Sequence, residues 1–206
     1  MRSYLIGCGV AALLAVPVIA QQMPTVPPGA LEPARVQAGR YTVDTDHTQV
    51  AFTVNHLGFN SYYGIFGGAT GELTLDPARP TAAAVTITIP IDKIATTSEA
   101  LNTHLKGADF FDTARFPTAT FRSTAVEASG NRARITGNLT LKGVTKPVVL
   151  DAQFTGAGPH PMNRKLQVGF EATTTVKRSD FGISYGIPLV TDDVPLRITV
   201  AFEKQG

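Results

Sequence analysis

Beyond about residue 40, apolar side chains recur at every second position, and the chain reads as a succession of strands. In residues 49–56, Val50, Phe52, Val54 and His56 fall on one side, and Gln49, Ala51, Thr53 and Asn55 on the other. That period of two marks an extended segment with one apolar and one wetted face. Val85, Ile87, Ile89 and Ile91 alternate in the same way with Thr86, Thr88 and Pro90. Ala119, Phe121 and Ser123 follow, and then Ala133, Ile135, Gly137, Leu139 and Leu141. Lys142-Gly143 makes a turn into Val148, Leu150, Ala152 and Phe154. Two further runs are Leu166 to Val176 and Val194 to Phe202. Residues 62–75 read as one strand, long against a usual 5–6 or so. Its Gly64, Gly67, Gly68 and Gly71 mark bends or close approaches. Fully extended it reaches roughly 45 Å, at ~3.3 Å per residue. Gly156 to Pro161 reads as a break between strands.

The pattern changes once. Thr96-Thr97-Ser98 places hydroxyl caps ahead of Glu99, and Leu101 and Leu105 follow at helical spacing. Gly107 ends that helix, and Ala108 to Asp112 forms a short helical or turn insert closed by Phe116-Pro117. About eight antiparallel strands with one helical insert give an all-β fold, a barrel or a sandwich. Closure into an eight-stranded barrel removes the edges and leaves room for one small ligand.

Composition narrows the function. With 206 residues, 43% hydrophobic and 17% charged, the chain builds one domain with a sizeable core. Its 18 basic and 16 acidic residues leave +2, with no cluster of Lys or Arg, which argues against a nucleic-acid surface. Met1 to Ala20 has the form of a secretory signal peptide: Arg2, an apolar Leu5 to Val18, and small-residue cleavage at Val18-Ile19-Ala20. The apolar run is short for a span and ends near Pro17, so no membrane span is expected after cleavage. Leu5-Ile6-Gly7-Cys8 resembles a lipoprotein box, but too few residues precede it. Cys8 is the only cysteine, so the cleaved chain has no disulfide. Residues 21–40, with Pro24, Pro27, Pro28 and Pro33, read as an extended linker, and 41–206 as the folded domain.

Catalytic and metal motifs fail on their own requirements. His47 and His56 are nine apart, on opposite faces of an extended strand, and lack zinc-site spacing. Gly182-Ile-Ser184-Tyr-Gly186 matches a nucleophile elbow, yet Pro188 follows it and the last histidine, His160, precedes it. It reads as a loop. Asp44, Asp46, Asp109 and Asp112 fit turn and helix caps. Arg178 and Asp180 fit a pair that pins a loop. No catalytic residue and no metal is assigned.

Tyr41 to Glu203 carries a distributed set of landmarks: Asp44 and His47, Phe52, His56-Leu-Gly58, Gly64-Ile-Phe66, Gly71-Glu-Leu73, His104-Leu105, Asp109-Phe-Phe-Asp112, Phe116-Pro117, Phe121-Arg-Ser123, Gly137 to Val144, Pro147-Val148 and Arg178-Ser-Asp180-Phe-Gly182. Together they resemble the YceI-like family of periplasmic polyisoprenoid-binding proteins. The resemblance implies a lipocalin-like eight-stranded β-barrel, a periplasmic location and a bound polyisoprenoid or quinone-like lipid, with no other cofactor. It also implies a homodimer as one arrangement to test. Apolar alternation and family position make Val50, Phe52, Val54, Phe66, Phe110, Phe111, Phe121, Leu139 and Phe170 the candidate lining. His47, His56, His104, Arg178 and Asp180 are the candidate head-group or mouth contacts. One departure stands out: Leu101 and Asn102 occupy places where the family often has an Arg-Asp pair. Two alternatives stay open, an enzyme acting on a lipid or small secreted substrate and a dimeric stress-related module with a vestigial pocket. A bound prenyl lipid separates the carrier from the enzyme, which would instead lose turnover on changing His47, Asp180 or Ser184; a narrow, side-chain-filled barrel would favour the vestigial pocket.

Overall fold

Extended segments that follow one another in sequence pair with one another in space. The computed structural model describes residues 24–206; the segment expected to be a signal peptide, residues 1–20 with Cys8, lies outside it. The strands are β1 (Gly39–Val43), β2 (Gln49–His56), β3 (Asn60–Phe66), β4 (Thr70–Leu75), β5 (Ala84–Pro90), β6 (Ile94–Ala95), β7 (Thr118–Ser129), β8 (Arg132–Leu141), β9 (Val144–Pro159), β10 (Leu166–Lys177) and β11 (Asp193–Lys204). Their order, β1-β4-β5-β7-β8-β9-β10-β11, closes through a β1–β11 pairing. The result is an eight-stranded antiparallel barrel. The three remaining strands are continuations past bends. The turn Thr45–His47 separates β1 from β2, and both pair with β11. Residues 67–69 separate β3 from β4, and the turn Ile91–Lys93 separates β5 from β6.

Two expectations about strand limits change. Residues 62–75 are not one straight strand: the chain bends at Gly67-Gly68, where Gly68 takes φ +73°, a conformation open mainly to glycine. The 45 Å reach is therefore not realised. Nor does Gly156 begin a break, since β9 runs on to Pro159 and the turn lies at 160–165. Small residues allow that extension, because another segment crosses here. Ala30 and Ala157 exchange two backbone hydrogen bonds of 3.1 and 2.9 Å. A Cβ on Gly158 would overlap the Pro28 carbonyl. Beyond the crossing, Pro33–Arg35 forms a 3₁₀ turn and Val36 packs on the core. Part of the segment read as linker is thus docked as a strap across the barrel.

The helix α1 (Glu99–Lys106) starts and stops where its caps predict. Ser98 Oγ accepts from the Leu101 N–H at 3.3 Å, and Gly107 closes the last turn. Leu101 packs inward, and Asn102 is buried. The Asn102 side-chain oxygen accepts from the Thr96 N–H at 2.7 Å and the Thr96 hydroxyl at 2.8 Å. At these positions the departure from the family pattern braces the helix start.

Buried residues gather in two clusters. One, around Tyr41, Leu73, Phe154, Val168 and Phe202, lies at the end where the described chain begins and stops. The other, around Val50, Phe66, Ile91, Ile94 and Leu105, lies beneath α1 at the helical end. Among the described residues no helix is long and apolar enough to cross a membrane.

Candidate functional site: an apolar cavity within the barrel

Between the clusters the barrel is not filled. Ile87, Val126, Ile135, Leu150, Leu196 and Ile198 point inward by strand parity, yet each is only half-buried. A side chain in a packed core would be buried outright; these face a cavity of about 320 Å³. The wall joins the two clusters, with Leu73, Phe154 and Phe202 at one side and Val50 at the other. Among the described residues Arg132 is its only ionisable one, and Thr48, Asn131 and Thr174 are its other polar side chains. Pro33, Pro77, Pro80 and Gly130 bring the wall to the surface at the strap end.

Aromatic stacks bound the space. At the strap end Phe170 sits between Phe154 and Phe202, with ring centroids 5.8 and 6.2 Å away. At the helical end Phe66 sits between Phe52 and Phe111, at 5.4 and 5.6 Å. Three of the four pairs meet edge-to-face and Phe52–Phe66 is tilted at 41°; the edge-to-face arrangement is favoured by the ring quadrupoles. Phe121 reaches the wall across Gly137, where a Cβ would overlap its ring.

The lining candidates divide accordingly. Val50, Phe121, Leu139 and Phe170 lie on the cavity wall. Phe52, Phe66, Phe110 and Phe111 belong to the packed plug beneath α1. Val54 is half-buried opposite Tyr62 and off the wall. The phenylalanines concentrate in the stacks at the two ends. Leu73, Val85, Ile135, Leu150 and Val200 complete the wall, and the same alternation would have found them.

The polar candidates do not converge, and none lines the cavity. His47 Nδ1 lies 2.8 Å from Asp44 Oδ2 at the β1–β2 bend. His56 ends β2 at the surface. His104 Nε2 is 3.4 Å from Asp109 Oδ2, and its ring packs edge-on to Phe110 and Tyr185. Arg178 is buried and donates to four main-chain carbonyls, those of Thr191, Ile183, Tyr185 and Val190, at 2.7–3.2 Å. Its guanidinium is therefore closed to a ligand head group. Asp180 is exposed, and no ion pair joins it to Arg178. The loop is tied instead by Asp192, whose carboxylate accepts from the Ser179 hydroxyl and N–H at 2.7 and 2.8 Å. Those two bonds hold the Asp192 carboxyl below its usual range. The Gly182–Gly186 motif lies inside this Arg178-pinned loop, with no helix after it. Among the described residues no group of three or more His, Cys, Asp or Glu is placed to hold a metal.

The sequence pattern of the YceI-like domain matches residues 41–202. The chain belongs to the YceI-like family. Protein YceI of Salmonella arizonae is 40% identical over 165 residues, which cover 79% of this chain and 86% of that protein. A UPF0312 protein of Pseudomonas aeruginosa is 38% identical over 168 residues, covering 81% and 87%. Among solved structures, Burkholderia cenocepacia BcnA superposes with TM-score 0.69 at 25% identity, covering 77% of this chain and 98% of that one. A polyisoprenoid-binding domain from Saccharophagus degradans, described as implicated in plant cell wall breakdown, superposes with TM-score 0.60 at 16% identity, covering 80% and 98%. That last likeness is one of fold. In this YceI-like chain the family landmarks His104 and Asp109-Phe-Phe-Asp112 build the plug and its outer surface, whereas the cavity wall comes from the plain alternation of the strands.

Proposed function

We propose that this barrel is a periplasmic carrier that shelters the apolar chain of a polyisoprenoid, or of a similar quinone-like lipid, from water. One observation carries the reading: a continuous apolar wall inside a closed sheet, left half-exposed and bearing a single ionisable residue. Apolar wall that meets water gains about 25 cal/mol per Å² when a ligand covers it. Each prenyl unit of five carbons contributes roughly 3–4 kcal/mol gross, at about 0.8 kcal/mol per methylene. Few units are then needed to offset the cost of association. At about 320 Å³ the cavity is at the low end of the usual 300–1,000 Å³ or so. It takes a few prenyl units, so a longer chain extends beyond the cavity. The periplasmic location rests on the signal-peptide pattern of residues 1–20. The polyisoprenoid-binding description of the Saccharophagus neighbour supports the ligand class.

Binding rather than catalysis is favoured because, among the described residues, no base, nucleophile or cation cluster faces the ligand space; catalysis needs such groups within hydrogen-bonding reach of one another. The test is organic extraction of the protein secreted by its native host, followed by mass spectrometry. A prenyl lipid in near-stoichiometric amount is expected. Protein that emerges empty and stays empty when offered prenyl alcohols and quinones would refute the carrier.

A further inference from the structure

The described residues include eight exposed large hydrophobic side chains, and five of them, Leu57, Phe59, Tyr63, Tyr185 and Leu189, lie on two adjoining stretches at the helical end. The β2–β3 turn and the 181–190 loop are joined there. The Leu57 N–H donates to the Leu189 carbonyl at 2.7 Å, and His56 bridges to Val190. Phe59 is 87% exposed and Leu189 64%. Leu57 takes φ +58° at the hairpin tip, a conformation in which asparagine or glycine would be at ease and leucine is strained. A polar turn would cost the fold nothing at this site, yet the sequence holds Leu57-Gly58-Phe59. Residues 55–63 and 181–190 contain no Asp, Glu, Lys or Arg.

Beneath this surface the apolar matter is unbroken. Tyr185 packs on Phe110 at 5.3 Å, Phe111 on Phe66 at 5.6 Å, and Phe66 on Phe52 at 5.4 Å. Val50, Ile89 and Ile198 belong both to that plug and to the cavity wall. A column of rings and branched side chains therefore runs from Tyr185, on the loop joined to the hairpin tip, to the ligand space.

We propose that the helical end docks on a lipid bilayer, with Leu57, Phe59 and Leu189 entering its interfacial region. Exposed aromatic and aliphatic side chains serve protein–protein and membrane contacts alike; the apolar path from this surface toward a lipid-sized cavity favours the bilayer. Aromatic and aliphatic tips without charge suit the boundary between head groups and acyl chains, where Tyr and other amphipathic rings concentrate. The column gives the contact its use: a prenyl chain moves between bilayer and cavity along side chains it can wet, when the plug yields, without crossing water. This use rests on the carrier reading; the docking itself is measured without any prenyl ligand.

The chain has no tryptophan, so Phe59→Trp supplies a single reporter. With vesicles of phosphatidylethanolamine and phosphatidylglycerol, its emission should move to shorter wavelength and be quenched by brominated acyl chains. Cosedimentation of the otherwise unaltered protein should fall about tenfold or more in Leu57→Asn/Phe59→Ser. Asn tolerates the backbone at 57, and an unchanged thermal midpoint would show that the variant folds. No association up to millimolar lipid, or equal association of both proteins, overturns the proposal. So does a dimer in sedimentation velocity that the double variant dissociates while vesicles bind neither form, because the tip would then face a second copy. Prenyl-alcohol binding in lipid-free buffer should survive in the double variant. If both proteins lack it, the carrier reading fails while the vesicle result still decides docking.

Discussion

Arg178 is the residue at which charge and fold meet most closely. Read along the chain, an arginine two places before an aspartate suggests an ion pair or an anion contact. In the folded protein its three nitrogens reach four carbonyls of one loop, and its side chain is sealed from solvent. A planar fork serves such a fan of acceptors; an ammonium on a flexible stem does not. Arg178→Ala leaves those carbonyls without a donor, and hydrogen bonds to charged groups are worth about 1.5–3 kcal/mol each. Urea unfolding should show a loss of about 3 kcal/mol or more, with Arg178→Lys recovering little. Prenyl binding per folded molecule should be unchanged, in contrast to what a head-group contact would give.

At the scale of elements, the strap and the helical insert cover opposite ends of one barrel by different means. The insert is held by a capped helix, by the Phe52–Phe66–Phe111 stack, and by Lys142 Nζ, which donates to the Ala108 carbonyl at 3.0 Å. The strap is held by one backbone bridge and the 3₁₀ turn, and it depends on a glycine. With Gly158→Val the branched side chain would meet the Pro28 carbonyl, and residues 28–36 must lift off. Trypsin should then cleave after Arg35 well before the barrel is attacked. Barrel stability should fall by only about 1–3 kcal/mol, a common range for local overpacking. Ordinary cleavage kinetics at Arg35 in this variant would mean that the strap does not depend on the crossing at Gly158.

For the whole molecule the decisive quantity is the space left inside. Closure fixes barrel width through strand number and stagger, and these side chains are too few or too short to fill it. Ile135 faces the cavity from β8, between Val126 on β7 and Leu150 on β9. Ile135→Phe adds volume where there is room, so its stability change should stay within about 1.5 kcal/mol. Its affinity for prenyl ligands should drop about tenfold or more, since lost methylene contacts are worth roughly 0.8 kcal/mol each. Titration calorimetry against a short prenyl alcohol checks this. Full retention of affinity would place the ligand elsewhere.

Period-two alternation, the Ser98 and Gly107 caps and the Lys142-Gly143 turn are local instructions. They determined the strands, the helix α1 and the all-β class, because side-chain parity and capping act over a few residues. The family landmarks, distributed over the same span, pointed to the barrel and to a lipid-sized interior. Long-range geometry decided the rest. The bend at Gly67-Gly68 had a local mark in its glycines, but those at Thr45–His47 and Ile91–Lys93 depend on closure of the whole sheet, which a local pattern does not encode. Which inward residues touch a ligand space and which touch one another also depends on barrel diameter, so Phe66 and Phe121 read alike in sequence and part company in the fold. Arg178 lost its apparent availability for the same reason: its partners lie in a loop that folds back over it, and only the path of that loop brings four carbonyls to one guanidinium.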